Sequence, residues 1–100
     1  DIDFEGIIIY EGLKNKFKDI FDMHIFNSAY SMMISKAVDR NLPRTKPGQS
    51  KDIKDLFLNE LNVKDKQAIL KILNSGLYVP QEIVTYKDLK GEGELTCKIV

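Results

Sequence analysis

The sequence holds a single cysteine, Cys97. No internal disulfide can form, and neither a cysteine-built zinc site nor a redox pair is available, which suits a reducing cytoplasm. An excess of one charge is missing too, because Lys+Arg and Asp+Glu stand at 15 each and the formal net charge is zero. No global field draws the chain to nucleic acid or to a membrane, so any such binding must come from a local patch. Long apolar runs are absent: Ile7-Ile8-Ile9-Tyr10 is the longest, against the roughly 20 residues of a spanning helix. No secretory signal pattern opens the chain, and internal repeats and low-complexity tracts are lacking. A membrane role is not expected.

What is present is one hundred residues, 43% apolar and 30% charged, the composition of one soluble globular domain. Ile9, Tyr10, Leu13 and Phe17 recur at helical spacing, with Glu11, Lys14, Lys16 and Lys18 on the other side, and predict an amphipathic helix over 6–19 with a basic C-terminal end. The aromatic and β-branched stretch 20–26, closed by Asn27-Ser28, reads as a β-strand. Asn27 is placed to cap a second helix to about Asp39, and further helices are expected over 51–61 and 64–74, the latter ending at Gly76. Between them, Asn41 to Ser50 carries two prolines and a glycine that forbid regular structure. Arg40, Arg44, Lys46 and Lys51 flank or fill this 40–51 loop and make the one local basic patch. Pro80 either opens a short helix or interrupts an edge strand. The 85–100 tail, with Gly91-Glu92-Gly93 and a weak alternation from Leu95, is a possible last strand.

The densest chemistry lies at the start, Asp1-Ile2-Asp3-Phe4-Glu5-Gly6. If Asp1 to Asp3 end a strand, the two-residue period points both aspartates to one side with Cα atoms roughly 6.5–7 Å apart. Two hard oxygen donors then converge, a set that suits Mg²⁺ completed by water and substrate phosphate. At the carboxyl end of a strand feeding a helix, they would also occupy the usual ligand crevice of an open α/β sheet. The bare D-x-D pattern is weak by itself, since two aspartates in a turn satisfy it, and the competing reading is a solvated terminus beside a buried run.

Four collinear segments are more specific. D-I-D-F-E-G-I-I-I-Y-E, A-Y-S-M-M-I, L-P-R-T-K-P-G-Q and G-L-Y-V-P-Q-E-I together resemble the C-terminal Toprim-type domain of the JetD family, the nuclease subunit of Wadjet plasmid-defence systems, over Asp1 to about Val84. That domain is similar to the Toprim domain of the type IIB topoisomerase A subunit. The resemblance implies an α/β fold, a partial Toprim-like domain with a short, mostly parallel sheet flanked by four or five helices. It implies Asp1 and Asp3 as catalytic, metal-binding acids for Mg²⁺ or Mn²⁺, Glu5 as a weaker ligand, and Gly6 as the glycine where the chain turns into its helix. The activity implied is cleavage of DNA backbone phosphodiesters in a bacterial anti-plasmid system. The partners implied are double-stranded DNA, an SMC-like loop-extruding complex and a second copy of the chain. Toprim domains take another glutamate from a strand upstream of the aspartates, and nothing precedes Asp1 here. The chain is therefore expected to be the C-terminal part of a longer polypeptide, and inactive alone.

Other residues carry two readings each. His24, the only histidine, is either a second-shell group of the metal site or a packed histidine. Arg40, Arg44, Lys46 and Lys51 either touch DNA phosphate, which adds salt-sensitive and sequence-blind affinity, or are simply solvated. Packing suffices for Tyr10, Tyr30, Tyr78 and Tyr86, so none is expected as a nucleophile; Glu82 and Cys97 receive no role. The rival class is a non-catalytic dimerisation or subunit-docking module. A receiver-like phosphoryl-transfer site lacks its lysine and threonine context and ranks last.

Overall fold

The computed structural model describes residues 1–84. Its elements are α1 (Phe4–Lys16), α2 (Asn27–Ala37), a 3-10 turn (Leu58–Glu60), α3 (Val63–Asn74) and a second 3-10 turn (Gln81–Ile83). The expected α/β sheet is overturned. Among the described residues there is no strand, only two isolated antiparallel bridges, Ile2 with Val79 and Arg44 with Leu77. The segment 20–26 forms no strand either; it runs from a turn into irregular chain, in which Ile25 is buried while Ile20, Phe21 and Phe26 stay exposed. Strand preference is largely a preference for a pleated neighbour, and no such neighbour lies beside it among these residues.

Local chemistry explains where the helices sit. Asp3 has extended backbone and its carboxylate accepts the Gly6 N–H, so α1 begins at Phe4, two residues before the periodicity suggested. Asn27 is not the cap of α2: the helix starts on it, Phe26 holds the cap position, and no side-chain bond closes that end. Asn62 caps α3 through the Asp65 N–H. That helix ends as its glycine foretold: Gly76 takes a φ of 76°, and the N–H groups of Gly76 and Leu77 return to Leu73 and Ile72 carbonyls. The helix expected over 51–61 shrinks to the single 3-10 turn, with Phe57 and Leu61 buried but Leu56 exposed.

The core lies where α2 crosses α3 and meets the 81–83 turn. Ile34, Ile69 and Leu73 are essentially dry there. Phe57 fills the space toward α1, its ring edge-on to Tyr10 and Tyr30 at 5.9 and 5.5 Å. Ile2, Phe4 and Ile7 bring the start of the chain onto the same core. The first residues are thereby pinned, and what they carry is held in place. The expected strand of the 85–100 tail lies outside the described residues.

Candidate metal centre

Ile2 is buried and exchanges two main-chain hydrogen bonds with Val79, at 2.7 and 3.0 Å. Along extended backbone successive side chains alternate, so burial of Ile2 sends Asp1 and Asp3 to the other side. The strand on which the two-residue period was argued is absent among the described residues, and this single bridge is all that stands in its place. Asp1 accepts the Gln81 N–H through Oδ1 at 2.9 Å, and Asp3 accepts the Gly6 N–H through Oδ1 at 2.7 Å. The second oxygen of each carboxylate has no hydrogen-bond or ion-pair partner among the described residues.

Gly6 lies in the first turn of α1 with helical backbone, and it is small for reasons of space. A Cβ there would stand 2.9 Å from Asp3 Oδ1 and 3.0 Å from the Asp1 carbonyl oxygen. A side chain at Gly6 would require the Asp3 carboxylate to shift and the Asp1 carbonyl to give by a few tenths of an ångström. Glu5 is exposed and accepts from Gln49 Nε2 at 3.2 Å. It lines a cleft of about 480 Å³ with Ile8, Ile9 and residues 46–50. Gln49 Oε1, at that cleft, is buried without a hydrogen-bond partner.

Carboxylate oxygens are the donors that a hard divalent cation prefers, so Asp1 and Asp3 fit Mg²⁺ or Mn²⁺ in kind. In number they fall short of a sphere: among the described residues no group of three or more His, Cys, Asp or Glu could hold a metal ion. The N-terminus of α1 favours an anion, so a cation there depends on the two carboxylates while a phosphate is assisted by the helix.

The basic patch is divided. Lys46 shares the cleft with Glu5, whereas Arg40 lines a separate depression with Leu42 and Lys71. Arg44 is bridged to Leu77, and all four cations, Lys51 included, are exposed. Segments far apart in the chain nonetheless meet beside the acids. Pro43 accepts from Tyr78 at 3.1 Å, Thr45 donates to Gly76 at 2.8 Å, Gln49 reaches Glu5, and Gln81 holds Asp1. Three of the four segments quoted for the JetD resemblance are brought together, and the fourth lies in α2.

His24 sits elsewhere. Its Nε2 lies 2.8 Å from Asp22 and its Nδ1 lies 2.9 Å from Glu60, so its partners are these carboxylates and not Asp1 or Asp3. Glu60 collects a cluster that no local sequence signal announced: the Tyr10 hydroxyl and Lys14 meet one oxygen, and His24 and the Ile25 N–H meet the other. Hydrogen bonds to Asp22 and then Glu60 raise the imidazole above its ordinary range. Burial pushes the Glu60 carboxyl upward, but bonds from Tyr10, His24 and Ile25 outweigh it and the net direction is down. Desolvation and then Glu60 push the Tyr10 phenol well above its usual value. Two acids are buried against expectation: Glu11 was placed on the polar side of α1, yet it is buried while Ile9 and Leu13 are exposed, and Asp65 went unremarked. Glu11 accepts the Lys54 and Phe57 N–H groups at 2.7 and 3.2 Å, and Asp65 accepts the Ser31 hydroxyl at 2.6 Å.

Glu82 is exposed, and Tyr86 and Cys97 lie outside the described residues. Among the described residues, no helix is long and apolar enough to cross a membrane. No protein-family model, curated protein or solved structure matches the chain.

Proposed function

We propose that the chain takes part in divalent-metal-dependent cleavage of DNA phosphodiester bonds, as its resemblance to the JetD nuclease family implies, with Asp1 and Asp3 as the metal-binding acids. One observation carries the reading: both carboxylates are anchored through one oxygen to a main-chain N–H, and both keep the other oxygen without a partner among the described residues. A carboxylate fixed in this way loses little further freedom on binding a cation. The meeting of the 43–49 and 76–81 segments with residues 1–6 adds support, because three of the segments that carry the resemblance bond to one another, Gln81 reaching Asp1 and Gln49 reaching Glu5.

A bound divalent cation would supply Lewis acidity and charge neutralisation at the scissile phosphate. The chain's own residues do the rest. Asp1 and Asp3 would hold the cation; Glu5, bonded to Gln49, makes no group of three with them among the described residues, and the N–H groups opening α1 favour phosphate oxygen. Lys46 and Arg44 add sequence-blind, salt-dependent contacts to the DNA backbone. A further acid must come from outside the described residues. Double-stranded DNA, an SMC-like loop-extruding complex and a second copy of the chain are the partners in this reading.

The test begins with Mn²⁺ titrated into the isotope-labelled chain, read by paramagnetic broadening of amide signals. Broadening should concentrate on residues 1–6 and Gln81, and vanish in the Asp1→Asn, Asp3→Asn double variant, in which the side-chain acceptors persist. Broadening elsewhere, or unchanged in that variant, discards the metal site. Cleavage is then read on supercoiled plasmid with Mg²⁺, using a polypeptide that joins this sequence to the further acid; equal nicking by the parent and by Asp3→Asn discards the nuclease.

A further inference from the structure

Past its last turn, α1 leaves an aromatic pair at the surface. The Phe17 carbonyl accepts the N–H groups of both Ile20 and Phe21, at 2.9 and 3.1 Å, and the tight turn so fixed lays the Phe21 ring along the Phe17 ring. Their centroids are 5.4 Å apart and their planes 16° from parallel. Phe21 is covered by this neighbour on one side, yet it stays 52% exposed, and Ile20 beside it 73%. The Lys16 ammonium stands 5.6 Å from the centre of the Phe17 ring. Lys16 and Lys18 are both exposed, and neither has a hydrogen-bond or ion-pair partner among the described residues. Of the acids beside them, Asp22 is engaged by His24, which leaves Asp19 against two cations. Lysines suit the C-terminal end of a helix and rings four residues apart support each other, but neither fact calls for an open ring face.

We propose that this tip of α1 binds single-stranded nucleic acid, with an unpaired base stacked on the open face of Phe21 and the neighbouring backbone phosphates held by Lys16 and Lys18. Two parallel rings are a stack that a third planar ring continues, and every base offers a π-face, so the contact tolerates any sequence. The Phe17 carbonyl fixes the ring pair before a ligand arrives, and little freedom remains to be lost on binding. Phosphate brings the negative charge that the two ammonium groups lack. Asp19 opposes it, so binding is weak and sensitive to salt. A duplex presents the same phosphates but keeps its base faces closed inside its own stack, and it leaves Phe21 without a partner. A membrane fits less well, because interfacial binding draws on the whole apolar face of a helix, whereas here two side chains project from a turn. The site caps the opposite end of α1 from Asp3, roughly 20 Å along the helix, and uses no metal. It therefore goes beyond the cleavage reading, and either can fail without the other.

The test titrates an oligothymidylate of about eight nucleotides into the isotope-labelled 100-residue chain, with EDTA present to keep metal out of the measurement. NMR shifts should concentrate on residues 16–21, with the Phe21 ring protons moved upfield by the stacked base. Fluorescence anisotropy of the labelled oligomer then gives affinities. Phe21→Leu, which keeps an apolar side chain but no ring, should weaken binding at least about fivefold, while Phe21→Tyr keeps the parent's affinity. An abasic oligomer of the same length should bind the parent chain no better than thymidylate binds Phe21→Leu. The logarithm of the binding constant should fall against the logarithm of salt with a slope of about −1.4, as two phosphates require, and Lys18→Gln should halve that slope. Phe21 and Lys18 are exposed, so all three variants should keep the parent's circular dichroism. No shift at residues 16–21 up to millimolar oligomer overturns the proposal, as do shifts centred elsewhere. Equal affinity for a duplex of that length, or for thymidylate in Phe21→Leu, reduces the contact to charge alone and overturns it too. Vesicles of phosphatidylserine and phosphatidylcholine that bind the parent and Phe21→Leu alike, while the oligomer binds neither, would assign the patch to a membrane instead.

Discussion

Two kinds of carboxylate stand around α1. Glu11 is buried, and each of its oxygens accepts a main-chain N–H from the 54–57 segment, while Glu60 shares its two oxygens among Tyr10, Lys14, His24 and Ile25. Asp1 and Asp3 each commit one oxygen to the main chain and keep one over. The difference is one of unused bonding capacity. An acid both of whose oxygens are answered by internal donors holds the fold together and has no oxygen left over for a ligand. An acid that is positioned but half-answered is ready for one. A count of acidic residues cannot separate the two, and neither can burial alone, because Asp3 is itself partly covered.

The comparison is broken most forcefully at Glu11. Glu11→Ala leaves the Lys54 and Phe57 N–H groups without an acceptor, the latter beside a buried ring, and should cost about 2–4 kcal/mol in a urea unfolding titration. Glu11→Gln should also destabilise, since its amide NH₂ would face one of those N–H donors. Glu60→Gln should cost about 1–2 kcal/mol by the same measurement. Glu60 carries a sign as well. Its folded-state pKa is lowered, so its contribution is present above the unfolded-state value and lost as pH falls through the depressed folded one. A loss below about 0.5 kcal/mol for Glu11→Ala would show that the bonded acid is not structural.

At Asp3 the two properties can be pulled apart. Asp3→Ala removes the cap of α1 and should cost about 1 kcal/mol, whereas Asp3→Asn keeps an accepting oxygen and should cost only a few tenths. Both should lose Mn²⁺ binding equally, because the ligand is the charge and the free oxygen. If Asp3→Asn keeps the parent's affinity for Mn²⁺, the unused oxygen is not what binds.

Gly6 and Gly12 sharpen the point within one helix. Gly12→Ala meets no atom within 4 Å and should stabilise the monomer by about 0.5–1 kcal/mol. Gly6→Ala forces its Cβ against Asp3 Oδ1 and the Asp1 carbonyl, and should instead destabilise by about 1 kcal/mol. Differential scanning calorimetry of the pair reads both signs. Equal shifts would mean that the first turn relaxes freely and that Asp3 is not held.

How much of this the sequence disclosed depends on the range of the interaction. Gly76, with its left-handed φ, and the apolar face of α3 were legible because both are set within a few residues. The irregular 41–50 loop was legible for the same reason, since proline and glycine act locally. The 51–61 helix failed because Leu56 and Phe57 do not share a face: Glu11, more than forty residues away, captures the Lys54 and Phe57 N–H groups. Sheet was expected where β-rich stretches lay, and a stretch becomes a strand only beside a partner of matching register. Asp1, Asp3 and Gly6 were singled out by a local pattern, but what distinguishes them, the spare oxygens and the space over Gly6, belongs to the folded chain. The Glu60 cluster had no local signal because its members are drawn from residues 10, 14, 24 and 60.

The smallest effect concerns His24, which lies between an exposed acid and a partly buried one. Asp22 bonds Nε2 and Glu60 bonds Nδ1, while Lys14, close to Glu60, opposes the positive imidazole. The folded-state pKa is raised above 6.5, so the histidine's contribution is fully present below the unfolded value and fades as pH rises through the raised one. A proton NMR titration of the imidazole should place its midpoint above 6.5 in the parent chain. Asp22→Asn should lower that midpoint more than Glu60→Gln does, because the Asp22 bond is the larger cause. The order of these two shifts tests whether the ring is held mainly from the solvent side or from the core. If Glu60→Gln produces the larger shift, Glu60 is the dominant partner and His24 belongs to the structural cluster of α1 outright.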